Sequence, residues 1–105
     1  MTIVARTFAS FTEGFALSYA DEVSGETYFA TFAKAEPDPR RAAIWDKIAL
    51  MENRTEAAIR PLAKALGVIP PDLAALRQSG CDEALANPIP SWEAAMEEMV
   101  REYPA

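Results

Sequence analysis

The sequence has no histidine and a single cysteine, Cys81. Without histidine the usual imidazole ligands and general bases are missing, and so are the serine triads that depend on one. One cysteine cannot close an internal disulfide, so nothing points to an oxidising compartment. No stretch approaches the ~18 consecutive apolar residues that suggest a membrane span, and Met1-Thr2-Ile3-Val4-Ala5-Arg6 lacks the apolar region of a secretory signal. Positive charge is scarce too, with ten Lys and Arg against sixteen Asp and Glu and a formal charge of −6. A phosphate backbone or an anionic membrane is repelled by such a chain unless cations are concentrated. Arg40, Arg41, Lys47, Arg54, Arg60 and Lys64 are instead spread along one segment with acids between them. The expectation is a cytoplasmic protein that contacts neither nucleic acid nor membrane. No Gly-rich phosphate loop is present.

What remains is the composition of an ordinary globular domain. The chain has 105 residues, 50% hydrophobic and 25% charged, which is enough to bury one core and is far from the signature of disorder. We expect a single helical domain over residues 1–105. From Phe8 to Ala35 the side chains Phe8, Phe11, Phe15, Tyr19, Val23, Phe29, Phe32 and Ala33 recur at steps of three and four, the pattern of a helix with one buried stripe. Gly14 and Gly25 weaken that helix, which leaves two outcomes open: a bend or break near Gly25, or one helix over 8–35 in which packing of the aromatics outweighs the glycines. At Glu36-Pro37-Asp38-Pro39 the chain turns, because Asp38 can accept bonds from free backbone N–H groups and Pro39 suits the first helical position.

A second helix then spans 39–66, with a stripe of Ile44, Ile48, Met51, Thr55, Ile59, Leu62 and Leu66 facing the first. Gly67 suits the left-handed position that ends it, and Pro61 predicts a kink or a boundary. Asp72 caps a short third helix over 72–79 that Ser79-Gly80 ends, and 81–90 reads as connection. Ser91 caps a last helix over 92–103, with Trp92, Ala95, Met96, Met99 and Tyr103 on its apolar side. The short turn makes the first two helices an antiparallel hairpin. Trp45 and Trp92 fall in apolar patterns and are expected in the core. Cys81, beside Asp82 and Glu83, has a setting that disfavours the thiolate.

Within this hairpin, Thr27-Tyr28-Phe29-Ala30 is similar to a run in the first helix of the rubrerythrins, and Ala42-Ala43-Ile44 to one in their second. The hairpin thus resembles the ferritin-like proteins of the rubrerythrin type, over about a quarter of the chain. The resemblance implies an all-α, ferritin-like antiparallel bundle, built from a long hairpin and one or two shorter helices. It also places Glu52 where the Glu of the metal-binding Glu-x-x-His motif falls, with Thr55 at the histidine position and Tyr19 at the first-helix ligand position. Ferritin-like di-iron sites need several convergent carboxylates and Glu-x-x-His pairs. Glu22 and Glu26, one and two turns off, are the shifted candidates for metal ligands beside Glu52. Glu22 and Glu52 each lie roughly fourteen residues from the turn, so they should sit level across the hairpin. The ordinary expectation is that Glu22 and Glu26 flank the interface in solvent, or that one of them pairs with Arg54, and that Glu52 joins an ion pair inside the bundle.

Three classes of function follow as expectations. The first is a non-catalytic ferritin-like bundle without a working di-iron centre, acting through assembly or partner binding. The second is a metal-binding oxidoreductase or iron-handling protein whose site, using Glu52 with Glu22 or Glu26, is completed by a second chain. The third is a bundle that binds a small apolar ligand between Phe11, Phe15, Tyr19 and Phe29. No catalytic residue and no cofactor is expected, save a metal ion held by carboxylates in the second class. Too few helices remain to bury both stripes, which predicts a homodimer, unless a fourth helix once followed Tyr103-Pro104-Ala105.

Overall fold

Local signals set the helix boundaries. Ser10 accepts a hydrogen bond from the Glu13 amide (3.1 Å) and opens α1, Phe11–Ala35. Asp38 accepts from the amides of Arg40 (2.8 Å) and Arg41 (3.4 Å), and Pro39 fills the first position of α2, Pro39–Ala65. Gly67 ends α2 with a φ of 68°, letting the Val68 amide donate to the Ala63 carbonyl at 3.0 Å. Asp72 accepts from the Ala75 amide (2.9 Å) ahead of α3, Leu73–Ala86, and Ser91 accepts from the Ala94 amide (3.1 Å) ahead of α4, Trp92–Glu102. This computed structural model describes residues 10–86 and 91–102. The expected helix start at Phe8, the expected end at Tyr103, the side chain of Met99 and residues 87–90 lie outside the described residues. Among those described, the elements are four helices and no strand, so the protein is all-α.

α1 is the central element and packs against both α2 and α3. It is one helix through Gly14 and Gly25, so of the two outcomes left open at Gly25 the uninterrupted helix is the one found. α2 likewise continues through Pro61. Ala57 and Pro61 are exposed, and the carbonyl that loses its partner to the proline faces water.

The third helix is longer than its sequence implies, because Gly80 is a contact rather than a stop. It sits buried where α3 crosses α1, and a Cβ there would collide with the Ser24 carbonyl oxygen and Thr27 Oγ1. The Thr27 hydroxyl donates to the Arg77 carbonyl at the same crossing. Residues 81–86, expected as connection, are therefore helical, and Cys81 lies half-buried in α3. α3 runs in the direction of α1: Leu73 and Leu76 pack near Tyr19 and Val23, and Ala84 packs near Tyr28 and Phe32.

Two apolar clusters hold these helices. Near the hairpin turn, Tyr28, Phe29, Phe32 and Ala33 of α1 pack with Trp45 and Ala49 of α2, Ala84 of α3 and Ala95 of α4. Trp45 stacks on Phe29 with ring centres 6.0 Å apart and meets the half-buried Trp92 edge-on at 5.4 Å. Both tryptophans are thus part of the packing. At the far end, Tyr19, Val23 and Ala63 form a second cluster with Phe15, Ile59, Val68, Ile69, Leu73 and Leu76. Between the clusters the seam of the hairpin is polar.

Candidate functional site

The α2 seam is not the stripe expected from its sequence. Trp45, Ala49, Glu56 and Ala63 are buried against α1, with Ile48, Glu52 and Ile59 half-buried beside them. Ile44, Met51, Thr55 and Leu62 are exposed. The helix is turned by roughly one residue from its hydrophobic pattern, or ~100°. Two side chains account for this. Trp45 has aromatic partners on α1, and Glu56 has a hydroxyl and a guanidinium.

Glu56 is 2% exposed. The Tyr19 hydroxyl, fully buried, donates to Glu56 Oε1 at 2.6 Å. Arg60, one turn on, donates through Nε to Oε1 (3.0 Å) and through Nη2 to Oε2 (2.5 Å), a fork that satisfies both oxygens. These Arg60 hydrogen bonds hold the Glu56 carboxyl below the usual range against the opposing effect of burial, and the Tyr19 bond acts in the same direction as Arg60. Burial, followed by the hydrogen bond to Glu56, pushes the Tyr19 phenol up.

One turn away, Glu52 has no such partner. It faces Glu22 across the hairpin, level with it as the count from the turn implies. Burial first, then hydrogen bonding to Glu22 and the charges of Glu22 and Asp21, pushes its carboxyl up to about 8. Two carboxylates this close cannot both ionise cheaply, so the pair retains a proton at neutral pH. Gly25 makes room for it: a Cβ there would lie 3.0 Å from Glu52 Oε2. Chemically the pair can hold a proton through neutrality and release it in mild alkali.

Of the three candidate ligands, Glu22 and Glu52 are brought together, while Glu26 accepts a hydrogen bond from Asn53 Nδ2 at 3.1 Å. All three are half-buried in the hairpin seam rather than in open solvent. None pairs with Arg54, whose position on α2 is exposed. Among the described residues, no group of three or more His, Cys, Asp or Glu converges as a metal ion requires. The four aromatics expected around an apolar ligand do not share a cavity. Phe11 is 71% exposed, Phe15 and Tyr19 belong to the far cluster, and Phe29 belongs to the cluster near the turn. Glu56 and Arg60 escaped sequence reasoning because a charged residue was not counted as a seam position. The signal was the step Trp45, Ala49, Glu52, Glu56, Ala63, with Arg60 one turn from Glu56.

No protein family, curated protein or solved structure matches this chain. None of the described helices is long and apolar enough to cross a membrane. The functional reading therefore rests on geometry.

Proposed function

We propose that this chain is a non-catalytic helical-bundle domain that acts by assembly, with the outward face of α2 as its contact surface. The observation that carries this reading is that α2 has two apolar faces and one is left open. Ile44, Met51 and Leu62 are 43%, 65% and 45% exposed and fall within about 20° of one another around the helix. Thr55 and Ala58, also exposed, continue the stripe between them. α3 packs against α1 and leaves this face uncovered. Burying such side chains against a second helix is worth about 25 cal/mol per Å² of apolar surface, which gives assembly a direct driving force.

The ferritin-like resemblance is part of the same proposal. At the positions it assigns to ligands, Tyr19 donates to Glu56, Thr55 is exposed and Glu52 faces Glu22. Such a hairpin closes its polar seam with a protonated Glu52 and with Glu56 bonded to Tyr19 and Arg60, and a second copy covers the stripe that further helices cover in a complete bundle.

Light scattering during gel filtration tests the reading. Wild type should give about twice the 11.5 kDa chain mass. Met51→Asp should give the monomer with helical content unchanged, since Met51 lies outside both clusters. A monomeric wild type at high micromolar concentration, or a dimer indifferent to Met51→Asp, would overturn it. Ferrous iron added anaerobically, then oxygen, should give no oxidation above the buffer rate. Stoichiometric uptake that is lost in Glu52→Ala would put the metal-binding class in its place.

A further inference from the structure

The open face of α2 has a distinctive charge as well as a distinctive apolarity. Six of the ten Lys and Arg residues of the chain lie on α2. Its glutamates, Glu52 and Glu56, are turned inward and Arg60 is bound to Glu56, so the exposed side carries Arg40, Lys47, Arg54 and Lys64 against one exposed acid, Asp46. Arg40, Lys47 and Arg54 recur at every seventh residue, which keeps them in a row along one edge of the Ile44, Met51 and Leu62 stripe. Among the described residues, none of these three makes an ion pair. A cationic and apolar face is thus mounted on a chain whose formal charge is −6.

α4 carries the opposite arrangement. Trp92 and Met96, each with one side packed on the cluster near the turn, and Val100 recur at steps of four along an open groove edged by Glu93 and Glu97. Val100 is 72% exposed, and both acids are exposed. Glu97 makes no ion pair among the described residues, and Glu93 has a 3.7 Å contact with Arg41 at the surface. Arg101, the cation of this groove, is taken up by Glu98.

We propose that these two surfaces meet between copies, with the Trp92, Met96 and Val100 ridge of one molecule lying along the Ile44, Met51 and Leu62 stripe of another. The inference rests on the reading of α2 as an assembly face and adds what occupies it. Each molecule carries both patches, so a two-fold pairing makes the contact twice and covers Val100 together with the part of the stripe that α4 reaches. The acidic edge of α4 then faces the cationic row of α2, which selects this pairing over others. At 1.5 Å per residue the eleven residues of α4 span about 16 Å, enough to pass both Lys47 and Arg54. An antiparallel pairing of α2 with α2 would instead set one cationic row against the other.

Complementary charge reversal in the full chain tests this. Lys47→Glu with Arg54→Glu makes both surfaces acidic, and Glu93→Lys with Glu97→Lys makes both basic. Each double variant alone should dissociate at least tenfold more readily than wild type and elute as a monomer. Their equimolar mixture should recover the dimer mass, with helical circular dichroism unchanged throughout. Val100→Asp, at an exposed position of α4, should also give a monomer and guards against misfolding of the charge variants. If the α2 variants break the dimer while the α4 variants and Val100→Asp keep it, the assembly face stands and α4 is not its occupant. A wild type that is monomeric overturns both readings. So does a monomer that co-sediments with phosphatidylserine vesicles, which would assign α2 to a lipid surface.

Discussion

Glu52 and Glu56 stand one turn apart on the same helix and face the same neighbour, yet their carboxyl groups are driven in opposite directions. Both are taken from water by α1. Glu56 finds a buried phenol there and a guanidinium one turn along its own helix, and is held ionised. Glu52 finds a second carboxyl and is held protonated. Burial alone raises a carboxyl in either place, so what the seam supplies opposite each acid decides its charge state. At neutral pH each half of the seam resolves its buried acid, one with a cation and one with a proton.

Breaking the Glu56 side should have the largest effect. Glu56→Ala leaves the Tyr19 hydroxyl without its acceptor in a fully buried position and opens a space beneath Arg60. A loss of about 2–4 kcal/mol is expected, since an orphaned buried donor costs about 1–3 kcal/mol and the space left by the side chain adds to it. Thermal melting should fall by ~10 °C or more for a domain of this size. Arg60→Met probes the comparison more sharply, because it leaves burial of Glu56 opposed chiefly by the Tyr19 hydrogen bond. Its carboxyl should then titrate higher than in wild type. A melting temperature unchanged in Glu56→Ala would mean that the seam does not depend on this network.

Removing the charge conflict at Glu52 should have an intermediate effect, visible as a change in pH dependence. A carboxyl raised in the folded state binds its proton more tightly there than in the unfolded chain. It therefore stabilises the fold fully below the unfolded value and loses that contribution as pH rises toward about 8. Every tenfold gain in proton affinity on folding corresponds to about 1.4 kcal/mol. Glu56 has the opposite sign: its contribution is present above the unfolded value and is lost as pH falls through its lowered folded value. Wild type should thus melt at progressively lower temperature from pH 5.5 to 8.5, and Glu52→Gln should flatten that decline. A decline that persists in Glu52→Gln would assign it to another group.

The contrast between the two acids also marks what sequence reasoning could reach. The hairpin was legible because Asp38 and Pro39 leave little choice of where α2 starts, and Gly67 leaves little choice of where it ends. The level placement of Glu22 and Glu52 followed from counting along two helices joined by a short turn. The face of α2 that meets α1 was not legible. Ile44, Met51 and Leu62 form a better apolar stripe than Trp45, Ala49, Glu56 and Ala63, and counting apolar residues selects the stripe that is in fact exposed. What turned the helix was a specific set of partners: stacking of Trp45 on Phe29, and the bond from Tyr19 to Glu56. Pairings across 37 residues of chain leave no trace in local periodicity. Gly80 misled for a related reason, since a glycine that ends a helix and one that lets two helices touch look alike in one sequence.

The smallest expected change in stability, and the closest test of the Glu52 side, is Gly25→Ala. The added methyl would sit 3.0 Å from Glu52 Oε2 and 3.2 Å from its Cδ, tighter than ordinary contact, so the carboxyl must shift by a few tenths of an ångström. Against that strain, alanine in a helix interior is favoured over glycine by up to about 1 kcal/mol, and the two effects should nearly cancel in the melting temperature. They do not cancel in the titration. A Glu52 carboxyl displaced from Glu22 loses part of the hydrogen bond and part of the repulsion that raise it, and its midpoint should move from about 8 toward the ordinary carboxylate range. Carbon-detected NMR of the glutamate side chains, followed from pH 4 to 10, reads that midpoint directly. A value that stays near 8 in Gly25→Ala would mean that burial alone raises Glu52, leaving Glu22 as a neighbour without a share in the proton.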